Sequence, residues 1–240
     1  MMKKFLPALA LLALMPAVTS AGLVTVRSGN GVIGGTDSAI TFLGGPINNG
    51  FTAPLNAGNL TSAAGGPAAF VIPNNSNWAV DLGTSAKWIG PSATSSTAAY
   101  TNAGQTALYA VNFNVGPIQG PTTLTFTFIA DNYIGGNPAD GTGATAANAG
   151  LFINGNALAG STLANPNFFI PSTLTFDISS FVTSGNNTLY INQTNTGGWS
   201  GLIFDATINS AVPEPSTVLM GGTAGLFGLI AYRRRKRAAV

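Results

Sequence analysis

From Trp78 onward, short stretches of this chain alternate between apolar and polar residues. The apolar members of the three clearest stretches are Tyr109, Val111, Phe113 and Val115; Leu124, Phe126 and Phe128; and Leu174, Phe176 and Ile178. The positions between them are filled mostly by Thr, Asn and Asp. Because successive side chains of a strand point to opposite faces of a sheet, each stretch predicts a strand with one buried and one hydrated face.

Turn residues and shorter alternations predict further strands. Asn154-Gly155, which separates the apolar run Leu151–Ile153 from Leu158, is typical of a two-residue hairpin turn. Two more strands are predicted around Leu189 and Ile191, and around Leu202, Phe204 and Ala206. Helical spacing is not seen in the body of the chain, apart from one turn predicted over Ser179–Ser184. About eight short strands separated by turns predict an all-β fold, a β-sandwich over residues 76–210.

Residues 22–75 are rich in Gly, Asn, Pro and Ala and alternate only weakly. Their apolar bursts are Leu23–Val26, Ala39–Leu43 and Ala68–Ile72. Two interpretations remain open for this segment: a flexible lead-in, or peripheral strands wrapped on the sandwich. The Val, Ile and Phe residues within the bursts favour strands.

The N-terminal residues 1–21 have the three parts of a secretory signal peptide. Lys3 and Lys4 precede an apolar run from Phe5 to Met15, and Thr19 and Ala21 fit the small positions of a cleavage site. We expect cleavage before Gly22; the alternative is an uncleaved membrane anchor.

The C-terminal part of the chain predicts a single membrane helix over residues 218–232. Its fifteen apolar or small residues span about 22 Å as a helix, somewhat less than a bilayer core. The basic residues 233–237 follow it and are expected to stay cytoplasmic, so that the body lies on the other side of the membrane. An ordinary tail anchor would show the same pattern.

Composition excludes most catalytic chemistry and most metal sites. The chain contains no Cys or His, one Glu, and 7% charged residues, against about a quarter in typical soluble proteins. Disulfides, imidazole ligands and His-dependent triads are therefore excluded. Residues 22–211 carry two basic and six acidic residues, a net charge of −4, so the body lacks the basic face that nucleic-acid binding requires.

The C-terminus resembles the PEP-CTERM sorting signal of Gram-negative bacteria. The matching residues are Val212, Pro213, Glu214, Pro215 and Ser216, followed by the apolar helix and by Arg233, Arg234 and Arg235. The resemblance implies that exosortase, a membrane-embedded cysteine transpeptidase, recognises the tail. It also implies residence in the inner membrane before processing, a cell-surface or extracellular location afterwards, and a bacterium that makes exopolysaccharide and forms biofilm.

The body is loosely similar to jelly-roll domains of the galactose-binding-like superfamily over residues 78–209. The similarity rests on Phe176–Val182, Gly185–Leu189 and the Gly201-Leu202 start of a closing strand. It implies a jelly-roll-like sandwich that binds a ligand without catalysis.

Four residues are candidates for carbohydrate contact, because sugars stack on aromatic rings flanked by amides. They are Trp88, Asn132, Tyr133 and Trp199; Trp199 follows a Gly-Gly pair that favours exposure. Trp78, which lies in an apolar stretch, is expected in the core. For Trp88, Tyr133 and Trp199, a position in the core is the alternative to carbohydrate contact.

Metal and water binding are weaker hypotheses. Asp131 and Asp140 could supply oxygen ligands for calcium, but they match no defined calcium loop, and an Asx-turn explains Asp131 equally well. We therefore expect no cofactor and no catalytic residue. Thr123, Thr125 and Thr127 form a row that could order water as in ice binding, but β-propensity on a hydrated face explains them more simply.

Three functions follow from this sequence. The first is an exported structural or adhesive protein of the cell surface or matrix, associated with exopolysaccharide. The second is a carbohydrate-binding module without catalysis. The third is a secreted glycan hydrolase that uses an Asp pair such as Asp131 and Asp205.

Overall fold

The computed structural model describes residues 22–210, except for residues 48, 52, 80, 98–104, 119, 137–147 and 164–166. The strands are β1 (Val24–Arg27), β2 (Thr36–Ile47), β3 (Ala68–Val71), β4 (Ile89–Gly90), β5 (Gln105–Val115), β6 (Thr122–Asp131), β7 (Tyr133–Ile134), β8 (Leu151–Ile153), β9 (Asn156–Ala157), β10 (Asn167–Asp177), β11 (Gly185–Thr194) and β12 (Gly201–Ser210). The helix α1 spans Ala57–Ala64.

The strands form one antiparallel sheet in the order β10-β6-β12-β4-β3-β2-β5-β11-β8-β9, with β1 added beside β12 and β7 beside β11. The sheet curls so that β6 and β12 face β5 and β11. Their inward side chains share one core, which joins Phe126 and Phe204 to Tyr109 and Leu189. The predicted all-β, jelly-roll-like sandwich is therefore confirmed.

The strand alternation places the predicted residues in this core. Phe126, Phe128 and Phe204 are almost completely buried, and the rings of Phe126 and Phe204 stack with centroids 5.5 Å apart. The predicted hairpin is also present: Asn154 and Gly155 both have positive φ and connect β8 to β9. This conformation is costly for most residues but accessible to Asn and Gly.

Residues 22–75 supply three strands and one helix. Each apolar burst of this segment overlaps a strand, and β2 pairs with the central strand β5 through Ile40 and Val111. The helix α1 departs from the sequence expectation, which included no helix here. Its N-terminus is a capping box in which Asn56 and Asn59 each accept a hydrogen bond from the backbone N–H of the other.

Both outer faces of the sandwich are partly covered. Leu60 and Ala63 of α1 pack on Leu108 and Ala110, which explains why the second face of β5 is buried as well. On the opposite side, residues 72–88 cover the outward side chains of Ile129 and Ile203.

The predicted signal peptide and the predicted membrane helix, residues 1–21 and 218–232, lie outside the described residues. Within the described ranges, no helix has the length and apolar character of a membrane span.

Candidate functional site

A cleft of about 310 Å³ opens at one end of the sandwich, beside the loop that joins β11 to β12 and the turn between β6 and β7. We call it the Trp199 cleft. Its lining consists of three aromatic side chains, one carboxyl, two amides and two glycines: Asn77, Trp78, Asp131, Asn132, Phe168, Gly197, Gly198 and Trp199.

Trp78 forms one side of the cleft and packs against Trp88 behind it. The indole rings of Trp78 and Trp88 lie 4.3 Å apart between centroids, and their exposed fractions are only 5% and 2%. Trp78 Nε1 donates a hydrogen bond to Asp131 Oδ2 at 2.7 Å. This bond fixes the orientation of the Trp78 ring, so one wall of the cleft is rigid.

Asp131 is a buried carboxyl group. Its Oδ1 accepts a hydrogen bond from Asn132 Nδ2 at 2.6 Å. Burial raises the pKa of Asp131 from 3.8 to about 7, although the hydrogen bond from Trp78 acts in the opposite direction. Removal from water penalises the charged form, so this carboxyl group is only partly ionised at neutral pH.

The loop that carries Trp199 is held by buried polar side chains. Asn195 Nδ2 donates to the carbonyl oxygen of Trp199 at 2.7 Å, and Asn195 Oδ1 accepts from Gly197 N at 3.1 Å. Ser200 Oγ donates to the carbonyl oxygen of Gln105 at 2.7 Å. These bonds position the half-buried Trp199 ring beside the cleft without covering it.

Asn132 connects the two walls of the cleft. Its Oδ1 accepts hydrogen bonds from Thr196 N at 2.9 Å and from Thr196 Oγ1 at 3.0 Å. The amide nitrogen of Asn132 therefore points towards Asp131. Since it has two N–H groups and only one is used there, the second can serve a ligand.

The structure brings together two of the four predicted carbohydrate contacts, Asn132 and Trp199. Trp88 is a correction: it was a candidate for carbohydrate contact, with a core position as the alternative, and it is buried against Trp78 because residues 72–88 fold over the sheet. Tyr133 is half-buried in β7 and is not among the residues that line the cleft. Trp78 is buried as expected but also forms a wall of the site.

Sequence reasoning missed Phe168 and Asn77. Phe168 belongs to the part of β10 where the pairing with β6 is irregular, so it lies outside the alternation that identified the other strands. The signal was present, because two adjacent phenylalanines, Phe168 and Phe169, interrupt the period of two. Asn77 lies in a turn segment that has no period at all.

The Asp pair of the hydrolase hypothesis is not assembled. Asp131 pairs with Gly201 and Asp205 with Thr127, so the two carboxyl groups are four residues apart along the strands, about 13 Å. Retaining and inverting glycosidases need separations of about 5 and 6.5–9.5 Å. Asp205 is instead bonded to Arg27 Nε at 2.6 Å.

The calcium hypothesis stays a prediction. Both carboxyl oxygens of Asp131 accept hydrogen bonds from side chains, and Asp140 lies outside the described residues. In the part of the chain that is described, no three acidic side chains come together.

A larger cavity of about 490 Å³ lies between β1 and β5. Arg27 and Lys87 line it, but Arg27 is paired with Asp205 and Lys87 Nζ donates to the carbonyl oxygen of Gly31. No aromatic side chain lines this cavity. The Trp199 cleft, which has aromatic walls, is therefore the better candidate for carbohydrate.

Gly201→Ala is expected to lower the free energy of unfolding by about 1–3 kcal/mol, the usual cost of overpacking. A Cβ at this position would lie 2.5 Å from Trp78 Cη2 and 2.7 Å from Trp78 Cζ3, so the indole pair would have to move. Urea denaturation measures the loss. Gly116→Ala, where a Cβ would have open space, is the matched control. Equal stability of the two variants would contradict this packing.

Comparison with known families gives one match, to the PEP-CTERM protein-sorting motif, over residues 211–236. The predicted resemblance of the tail is therefore confirmed, although the matched residues lie outside the described structure. The motif indicates an exported protein that is sorted to the cell surface or beyond and processed by exosortase. No curated protein matches this sequence.

The solved structures that are similar to the chain include three family 35 carbohydrate-binding modules. One from Clostridium thermocellum is 12% identical, with coverage of 60% of this chain and 88% of the module and a TM-score of 0.33. One from an environmental isolate is 11% identical, with coverage of 72% and 98% and a TM-score of 0.34. The third, from Abf62 of Cellvibrio japonicus, is 13% identical, with coverage of 80% and 99% and a TM-score of 0.35.

Proposed function

We propose that this protein, which carries a PEP-CTERM sorting motif at residues 211–236, is a structural or adhesive component of the cell surface or extracellular matrix. In this proposal its sandwich contacts exopolysaccharide through the Trp199 cleft, and it does so without catalysis. Its partners are exosortase and the inner membrane before processing and the exopolysaccharide afterwards.

The observation that carries the carbohydrate contact is the pairing of a half-buried Trp199 ring with amide groups in one cleft. A pyranose ring stacks on an indole through its C–H groups, and its hydroxyls need donors and acceptors at the ring edge. Asn132 offers one spare N–H, and Asn77 offers an exposed side-chain amide. Phe168 supplies a second apolar wall.

The low charge of the Trp199 cleft is consistent with exopolysaccharide as its ligand. The cleft has one ionisable group, Asp131, whose burial disfavours its charge. Binding to neutral hydroxyl groups does not depend on long-range electrostatic attraction and is screened little by salt. We therefore expect the affinity for exopolysaccharide to change little with ionic strength.

Trp199→Ala is expected to weaken binding of the processed protein to exopolysaccharide from the producing bacterium by about tenfold or more, because the stacking surface is lost. Isothermal titration calorimetry with fragments of this polysaccharide measures the change. Trp199→Phe should retain part of the affinity.

Tyr133→Ala is the matched control, since Tyr133 is an aromatic side chain near Asn132 that does not line the cleft. If Trp199→Ala binds as tightly as the wild type, or if Tyr133→Ala loses as much affinity as Trp199→Ala, the Trp199 cleft is not the binding site. If the processed wild-type protein shows no binding, a structural role without direct sugar contact replaces the proposal.

A further inference from the structure

The strand register assembles a threonine array that the sequence does not show. On the outward face of β10, β6, β12 and β1, one row across the four strands consists of Thr175, Thr125, Thr207 and Thr25. Flanking rows hold Thr173, Thr127, Asp205 and Arg27, and Asp177, Thr123 and Asn209. We call these eleven residues the threonine face.

The hydroxyl groups of the central row have no partner among the described residues: Thr25, Thr125, Thr175 and Thr207 make no side-chain hydrogen bond there. Neighbouring strands lie about 4.8 Å apart, and alternate residues along a strand about 6.7 Å. The central row therefore presents free hydroxyls at regular intervals across the four strands. In one flanking row, by contrast, the hydroxyls of Thr127 and Thr173 hydrogen-bond to each other at 3.0 Å.

The polar face on the other side of the sandwich provides a contrast. There Thr188 Oγ1 donates to Asn112 Oδ1 at 2.8 Å, and Asn114 Nδ2 donates to Asn186 Oδ1 at 2.9 Å. These side chains satisfy one another across β5 and β11. Polar side chains on a solvent-exposed strand face can therefore pair with one another. The central row of the threonine face differs, because its hydroxyls make no such pairs.

Charge and polarity restrict what the threonine face can bind. Arg27 is neutralised by Asp205 at 2.6 Å, and Asp177 leaves the face with a net negative charge. Anionic polymers are therefore disfavoured. The three rows contain no apolar side chain, and Leu23, which is 66% exposed just before β1, is a single apolar residue at their edge. This is too little apolar surface for a protein or lipid partner.

The twist of the sheet distinguishes between two remaining ligands, an ice surface and a neutral polymer chain. Neighbouring strands rotate by about 20–25°, so four strands turn through roughly 60–75°. A rigid ice plane cannot follow such a surface, but a hydrated polymer chain can.

We propose that the threonine face is a second binding surface, on which a neutral polysaccharide chain lies across the four strands and exchanges hydrogen bonds with the central row of hydroxyls. This inference rests on the proposed function because it places the protein among polysaccharides. It uses a surface other than the Trp199 cleft, however, and its ligand is an extended chain rather than one or two sugar rings.

The test is a variant with Thr125→Val, Thr175→Val and Thr207→Val, compared with the same three positions changed to Ser. Val keeps the branched shape and removes the hydroxyl, whereas Ser keeps the hydroxyl. The processed protein is run on native gels that contain dextran, galactomannan or the neutral fraction of the producer's exopolysaccharide. Loss of three hydrogen bonds is expected to weaken retention of the Val variant by about tenfold to a hundredfold.

The Ser variant should be retained like the wild type, and free monosaccharide should not displace either protein. Retention of the Val variant at the wild-type level overturns the proposal, as does equal loss in the Ser variant or no retention of the wild type on any of the gels. Ice shaping by the wild type without polymer retention would also overturn it.

Trp199→Ala separates this inference from the proposed function. If only the Val variant loses retention, the threonine face is supported and the Trp199 cleft is not. If only Trp199→Ala loses retention, the proposed function stands and the threonine face does not.

Discussion

Replacing both Pro213 and Pro215 by Ala is expected to leave the protein at full length at its C-terminus and held in the inner membrane. Proline restricts φ and lacks a backbone N–H, so we expect the segment between the two prolines to be extended and open to a membrane enzyme. Intact-mass spectrometry of the protein from its own bacterium measures processing directly. The wild-type chain should end near residues 213–215, whereas the variant should retain residues 216–240.

Removal of Ala238, Ala239 and Val240 is the matched control for this experiment. These residues follow the basic cluster 233–237 and lie beyond the matched motif, so their loss should leave processing unchanged. If the proline variant were processed like the wild type, the two prolines would not be what exosortase recognises. An ordinary tail anchor would be the better interpretation if the wild-type chain itself retained residues 216–240.

Asp131 is expected to make the folded protein less stable as the pH rises from about 4 to 7. Below pH 4 the carboxyl group is protonated in both the folded and the unfolded chain. At higher pH the unfolded chain releases this proton, while burial raises the pKa of Asp131 in the folded chain to about 7. Stability therefore falls across this window and levels off above it, by an amount on the order of 4 kcal/mol.

Asp131→Asn removes the ionisable group and should abolish this pH dependence. Urea denaturation between pH 4.5 and pH 8 measures the slope for each protein. Asp81→Asn is the control, because Asp81 is exposed and its Oδ1 accepts only a local hydrogen bond from Gly83 N. The Asp81 variant should retain the wild-type decline. A slope that persists in Asp131→Asn would show that other groups cause it.

The architecture could be predicted where burial follows a simple period. In β6, Leu124, Phe126 and Phe128 alternate with threonines, and the structure buries these three and leaves the threonines partly exposed. The Asn154-Gly155 hairpin followed from local backbone chemistry alone. In both cases neighbouring residues carry the whole signal.

Features that depend on distant segments could not be predicted in this way. For Trp88 the sequence left both a carbohydrate contact and a core position open, because nothing nearby in sequence shows that Trp78 covers it. The helix α1 is short and its capping box uses Asn at both positions, so it lacks the usual Ser/Thr and Glu/Gln signature.

The candidate site was predicted only in part, because it also depends on segments that are distant in sequence. Asn132 and Trp199 were identified from their side-chain chemistry, but their meeting depends on the pairing of β6 with β12, which brings Asp131 opposite Gly201. The threonine row of β6 was visible in sequence, whereas its continuation through Thr175, Thr207 and Thr25 required the register.

The most direct test of the carbohydrate contact is a crystal structure of the processed protein with an oligosaccharide released from the producer's exopolysaccharide. We expect a pyranose ring against the Trp199 indole, between Phe168 and the Asn132 amide. A sugar bound at another place in the sandwich, with the cleft at Trp199 empty, would contradict this account.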